Sequence, residues 1–142
     1  MAFDRAVINT DGPMEFFGGT ASAAISGGQF VVAGSNTLAG AVGSTTGAFN
    51  YTKIDLAPGG SNNTVPVGYA IGIFASGVQA SYIRGGVVTA PCDVAVAAGD
   101  HLQAAGEATF RAVRPSITAS GIIGTALNSA ASGNGVWVQL NL

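Results

Sequence analysis

Charged side chains are scarce in this sequence. Asp, Glu, Lys and Arg make up 8% of its 142 residues, against about a quarter in an ordinary soluble domain. Phe16 to Thr52 carries none, and neither does Pro115 to Leu142. The five basic residues are scattered in a chain of net charge -2, so no stretch is built to neutralise phosphates, and nucleic acid is not an expected partner. Cysteine occurs once, at Cys92. That excludes an intramolecular disulfide framework and leaves the redox compartment open. Long apolar runs are missing too. A membrane span needs around 20 predominantly apolar residues in a row, and the uncharged stretches here are broken by Gly, Ser, Asn, Thr and Pro, so no membrane is expected. The opening "MAFDRAVINTDGPMEFF" has Asp4, Asp11 and Glu15 where a secretory leader would have Lys or Arg and then an apolar core. A chain this poor in charge fits a protein whose neighbours cover much of its surface. A monomer coated in Ser, Thr and Asn is the alternative.

Helix signals are nearly absent, because 22 glycines interrupt almost every window in which apolar spacing of three and four could start. Strand signals are frequent. "VGYAIGIF" alternates Val67, Tyr69, Ile71 and Ile73 with small residues. "QASYIRGGVVTA" surrounds a Gly85-Gly86 pair that predicts a bulge or bend. "DVAVAA" (93–98) and "HLQAA" (101–105) flank a Gly99-Asp100 turn, "ATFRAVRP" is stopped by Pro115, and "GIIGTALN" and "GVWVQLNL" flank a small-residue connection. In the last of these, Val136, Val138, Leu140 and Leu142 share a face, which predicts a core strand. "SAAISGGQFVVAG" and "AFNYTKIDL" supply two earlier strands, and "APGGSNNT" a loop. At 142 residues, one domain can bury roughly 70% of its unfolded surface. The expectation is an all-β protein with at most one short helix, around Thr125 to Ala131. Its architecture is a compact β-barrel or sandwich-like single domain over residues 21–142, preceded by an extended N-terminal arm over residues 1–20. The arm concentrates Phe3, Val7, Ile8, Phe16 and Phe17. It either folds back on its own domain or lies on a partner as an added strand.

The residues with reactive side chains gather in "PCDVAVAAGDHLQ". Cys92, Asp93, Asp100 and His101 offer enough donors for a metal in principle. In two paired strands, however, alternation sends adjacent residues to opposite faces, and Cys92 lies at the far end from the turn. A turn at Gly99-Asp100 and a buried Cys92 are the expectation. A Ser-His-Asp triad would have to use His101 and has no G-x-S-x-G elbow. A Cys92–His101 dyad lacks a third group to orient it. Asp55, Asp93, Asp100 and Glu107 make carboxylate pairs of no particular specificity. No phosphate-binding glycine motif occurs. No catalytic residue, metal or cofactor is therefore expected. Arg84, Arg111 and Arg114 form either a small basic patch for an acidic partner or solvated strand-face residues. Trp137, opposite Val136 and Val138, is either a second-layer core residue or an interface anchor. "NYT" at Asn50 and "NNT" at Asn62 match the glycosylation pattern, without a leader to make use of them.

The second half contains "VGYAIGIFASG", "YIRGGVVTAP", "VAVAAGDHLQAAGEATF" and "GIIGTALNSAASGNGVWVQLNL" in that order. Over roughly residues 65 to 142 this resembles the head-decoration, or capsid cement, proteins of tailed phages and related viruses. Gly99, Asp100 and Leu102 match their turn, and Gly124, Ala126 and Leu127 their later segment. The resemblance implies a β-rich homotrimer on the outer capsid surface of the virion, made in the host cytoplasm, with no active site. It would bridge neighbouring subunits of the major capsid protein and so stabilise the shell. An arm of Phe3, Arg5, Val7, Ile8, Phe16 and Phe17 would contact the capsid, and Trp137, Arg84, Arg111 and Arg114 would belong to a further interface. A second expectation is a carbohydrate- or surface-binding β-module of a virion tail or fibre, using Tyr51, Tyr69, Tyr82 and Trp137. A small hydrolase or metal enzyme on Cys92 and His101 is the third.

Overall fold

The computed structural model describes residues 8–9, 16–34, 55–59, 65–105, 112–116 and 121–142. Among them there are strands and turns and no helix. The strands are β1 (Ile8–Asn9), β2 (Phe16–Ala21), β3 (Phe30–Ala33), β4 (Asp55–Pro58), β5 (Gly68–Ala70), β6 (Gln79–Ile83), β7 (Gly85–Pro91), β8 (His101–Ala104), β9 (Val113–Pro115), β10 (Ile122–Ala126) and β11 (Gly135–Asn141). Strands β2-β4-β3-β5-β6 close into a barrel, and the others form a sheet in the order β1-β7-β11-β10-β8-β9.

The two sheets are one motif used twice. Val31, Val32 and Ala33 face Pro58, Ala57 and Leu56, as Leu102, Gln103 and Ala104 face Pro115, Arg114 and Val113. Tyr69 and Ala70 face Ile83 and Tyr82, as Thr125 and Ala126 face Gln139 and Val138. The parallel contact Ala21–Leu56 that closes the first barrel returns as a single parallel bridge, Cys92–Val113. On this mapping β2 to β6 correspond to β7 to β11, and β1 stands outside the repeat.

Local sequence explains why each unit forms. Each unit carries two tight turns with a glycine in third place: Ser26–Gln29 and Ala75–Val78, then Ala97–Asp100 and Ala131–Asn134. The glycines sit at φ of 82°, 82°, 91° and 84°, which a side chain strains against and the type II pattern requires. Just before each turn one residue bridges to its partner turn, Ile25 to Phe74 and Val96 to Ala130. The turns therefore dock in pairs. The sequence signal is G-x-A-x-x-x-x-A-S-G, at Gly68–Gly77 and again at Gly124–Gly133.

Several expectations change in detail. The predicted 93–98 strand is absent, since those residues form a bend, the Val96 bridge and the start of a turn. Thr125 to Ala131 is not helical, because Thr125 and Ala126 end β10 and Ala130 makes a bridge. The strand around Tyr69 stops at Ala70, and Ile73 is 72% exposed. The predicted bend before Gly85-Gly86 is the point where the chain leaves the barrel for the second sheet.

The core follows strand alternation. Val136, Val138 and Leu140 are buried and Trp137, Gln139 and Asn141 exposed, as the pattern of β11 predicts. Ala21, Ile25, Val31, Leu56, Ala70, Ala80 and Tyr82 fill the first barrel. The opposite face of that barrel presents Phe30, Tyr69 and Ile83, all fully buried within the second unit's core cluster. The Tyr69 hydroxyl donates to the Thr89 carbonyl at 3.0 Å, and the Phe30 ring meets the Tyr69 ring edge-on. Burying each of these side chains contributes on the order of 1.5–3 kcal/mol. Their counterparts in the second unit are His101, Thr125 and Gln139, of which His101 and Gln139 are exposed and Thr125 half-buried. The first unit thus has an apolar face to cover, while the second ends in polar groups.

Candidate interaction surface

Three of the four reactive side chains are occupied with local structure. Cys92 is buried, and its thiol donates to the Ala131 carbonyl at 3.0 Å. Asp93 accepts from the Arg114 guanidinium, and the Asp93 side chain is 9% exposed. The Asp100 carboxylate accepts from the Ala97 amide at 2.9 Å, holding its own turn. His101 points outward from β8. The internal repeat clarifies these roles. The positions of Cys92, Asp93, Asp100 and His101 are held in the first unit by Ala21, Ser22, Gln29 and Phe30. Gln29 Oε1 accepts from the Ser26 amide at 2.7 Å, which is the contact Asp100 makes. Asp100 is thus a turn clamp, and Cys92 fills a place that alanine fills elsewhere. Among the described residues, no group of three or more His, Cys, Asp or Glu could hold a metal ion. Asp55 lies in the first unit, apart from Asp93 and Asp100 in the second, and Glu107, Asn50 and Asn62 lie outside the described residues.

Of the three arginines, two are described. Arg114 is engaged with Asp93, Arg84 lies with its guanidinium carbon 5.5 Å from the centre of the Phe17 ring, and Arg111 is outside the described residues. Of the four aromatics proposed for a sugar surface, Tyr69 and Tyr82 are buried and Tyr51 is outside the described residues. Trp137 is 41% exposed and so is not a second-layer core residue of this chain. Its amide donates to Asn128 Oδ1 at 2.6 Å, and its carbonyl accepts from Leu127, itself an exposed apolar residue.

The arm residues divide. Phe3, Arg5 and Val7 lie outside the described residues, and Ile8 sits in β1, in register with Val88 of the same chain. Phe16 and Phe17 belong to β2, where they pair with Ile83 and Tyr82. The structure therefore places residues 16–20 in a strand of the barrel rather than on an arm, because the β2–β6 ladder runs from Phe16 to Thr20. Even so, Phe16 is 59% exposed. Phe17 stacks on Tyr82 at 5.7 Å between ring centroids. A groove of about 370 Å³ opens nearby, lined by Val65, Pro66, Val67, Tyr82, Arg84 and Leu142. Ile73 and Val78, both exposed, flank the Phe74 turn, and exposed Val94 precedes the Val96 turn. These groups are suited to contact: apolar side chains in a chain poor in charge. Sequence reasoning missed Ile73 and Leu127, because it assigned them to strands that end sooner, and Val78, which lies between two predicted strands.

This places the chain in a class defined by fold: an all-β protein of two tandem, barrel-like units joined by a shared core. No family model matches the chain, and no curated protein matches it. Among solved structures it is similar to the N base of head fiber gp8.5 of bacteriophage phi29, with a TM-score of 0.59 and 14% identity, over 91% of this chain and 95% of that one.

Proposed function

We propose that the chain is a structural protein of a phage virion, carried on the outer surface of the capsid. There it associates with itself as a trimer and bridges neighbouring subunits of the major capsid protein. The observation that carries this reading is the similarity along nearly the whole chain to a domain named as the base of a head fibre. The surface supports it: 8% charged residues and exposed Phe16, Ile73 and Trp137 are what a protein covered by neighbours would carry. Its mechanism is binding without chemistry. Contacts that exist only on the closed shell stabilise that shell by mass action. The test is the mass of the purified protein in solution, followed by co-sedimentation with capsids that lack it. The expected result is a trimer that saturates the capsids. A monomer that stays in the supernatant sinks the reading.

A further inference from the structure

The repeat also shows which residues a turn can do without. The last tight turn, Ala131–Asn134, is closed by the Asn134 amide donating to the Ala131 carbonyl at 3.0 Å. Its twin in the first unit, Ala75–Val78, is closed the same way at 3.2 Å. Asn134 therefore stands where Val78 stands, and Gly135 where Gln79 stands. Neither the turn nor the start of β11 requires asparagine followed by glycine, yet this is the chain's one Asn-Gly pair. Asn134 is exposed, and only its main-chain amide and carbonyl are bonded. That carbonyl accepts from the Cys92 amide at 3.0 Å, just before the facing pair Gly135–Pro91. By the alternation of an antiparallel ladder, the Gly135 amide then points away from β7. On that side β10 has already ended at Ala126, so no ladder bond holds it. Asn128 reaches the same side, but its Oδ1 is taken by the Trp137 amide. An unbonded side-chain amide is thus followed directly by an unbonded main-chain amide, on a residue with no Cβ.

We propose that Asn134 is a self-modification site, at which the folded chain deamidates without an enzyme. The Gly135 nitrogen, having lost its proton to solvent base, attacks the Asn134 Cγ. A bond forms between that nitrogen and Cγ, and the Cγ–Nδ2 bond breaks, so that ammonia leaves and a cyclic imide remains. Water then opens the imide. Cleavage at Cγ leaves aspartate at position 134. Cleavage at the main-chain carbonyl leaves isoaspartate, whose main chain runs through the side-chain carbons. Nothing is oxidised or reduced, and water is the only co-reactant. The attack requires the peptide between the two residues to turn out of the strand, which breaks the Cys92–Asn134 bond. Local openings of this kind at the end of a strand cost little. Either product adds a negative charge to Pro115 to Leu142, which carries none. A new chain and an aged one therefore differ in charge at an exposed turn of the second unit. The reaction needs neither capsid nor partner, so it stands apart from the virion reading.

The test incubates the full-length chain in mildly alkaline buffer and follows its C-terminal tryptic peptide by tandem mass spectrometry. The expected product is heavier by the difference between water and ammonia, with the change at Asn134 and the two isomers in separate chromatographic peaks. Asn128, whose side chain is bonded, and Asn141, exposed but followed by leucine, lie in the same peptide and should stay intact. Gly135→Gln, which copies Gln79, should slow the change about tenfold or more, because a side chain on the attacking residue obstructs the close approach that glycine permits. Asn134→Val, which copies Val78, should abolish the acidic shift that the parent develops in isoelectric focusing. Far-UV circular dichroism shows that both variants are folded. Asn134 still intact in the folded chain long after a synthetic peptide, SGNGVW, has converted overturns the proposal. So does conversion of Asn128 or Asn141 at the same rate, or a Gly135→Gln variant that reacts as fast as the parent.

Discussion

Gly124 tests whether the two strands around it meet as closely as the repeat requires. A Cβ built there would fall deep inside van der Waals contact with the Gln139 carbonyl oxygen and lie 2.9 Å from the Gln139 carbonyl carbon. Both atoms belong to the backbone of β11, which is paired to β10 on one side and β7 on the other. The obstruction therefore cannot swing aside like a side chain. Relief requires the strands to separate, which costs about 1–3 kcal/mol for an overpacked methyl and more when ladder hydrogen bonds stretch with it. Two other glycines calibrate the result. At Gly99 a Cβ meets nothing within 4 Å but φ is +91°, so Gly99→Ala costs about 1 kcal/mol through backbone strain alone. At Gly85 there is neither a neighbour nor a positive φ, and Gly85→Ala should be near neutral. Urea melts of the three variants should rank Gly124→Ala as clearly the worst. With about 2–4 °C per kcal/mol for a chain of this size, its Tm in a thermal melt should fall by about 2–12 °C. If Gly124→Ala melts with Gly85→Ala, the close packing of β10 on β11 is wrong.

Two further outcomes follow from the packing. Arg114→Ala strips the partner from a nearly buried Asp93 and should cost about 1–3 kcal/mol in denaturant midpoint; replacing Asp93 by Ala in the same chain should recover part of the loss, and a second loss of equal size would refute the pairing. The Cys92 thiol should resist Ellman's reagent in native buffer and react at once in denaturant, while Cys92→Ala, which copies Ala21 of the first unit, should stay within about 1.5 kcal/mol of the parent; fast native labelling would refute its burial.

Much of the fold was legible in the chain. Glycines in third place of a tight turn, and alternation in "GVWVQLNL", are local signals that act over two to four residues. They located β8, β10 and β11 and the Gly99-Asp100 turn. The site was less legible. The dispersal of Cys92, Asp93, Asp100 and His101 was foreseen from alternation in a hairpin, yet the hairpin did not form. What disperses them is the bend at residues 93–96 and the Val96–Ala130 bridge, a contact between segments far apart in sequence. Phe16 and Phe17 read as arm residues because the Gly18-Gly19 pair looks like a break. In the barrel those glycines continue a strand that β6 holds on one side.

Composition and short-range pattern by themselves determined an all-β chain, poor in charge, with turns at glycine. Tertiary structure alone decided that the strands form two copies of one unit and that Phe30, Tyr69 and Ile83 are buried between them. The reason is physical. Turn preference and alternation depend on neighbours in sequence, so both units carry them alike. Which face is buried and which edge is paired depends on segments that meet only after folding, and there the two units part company.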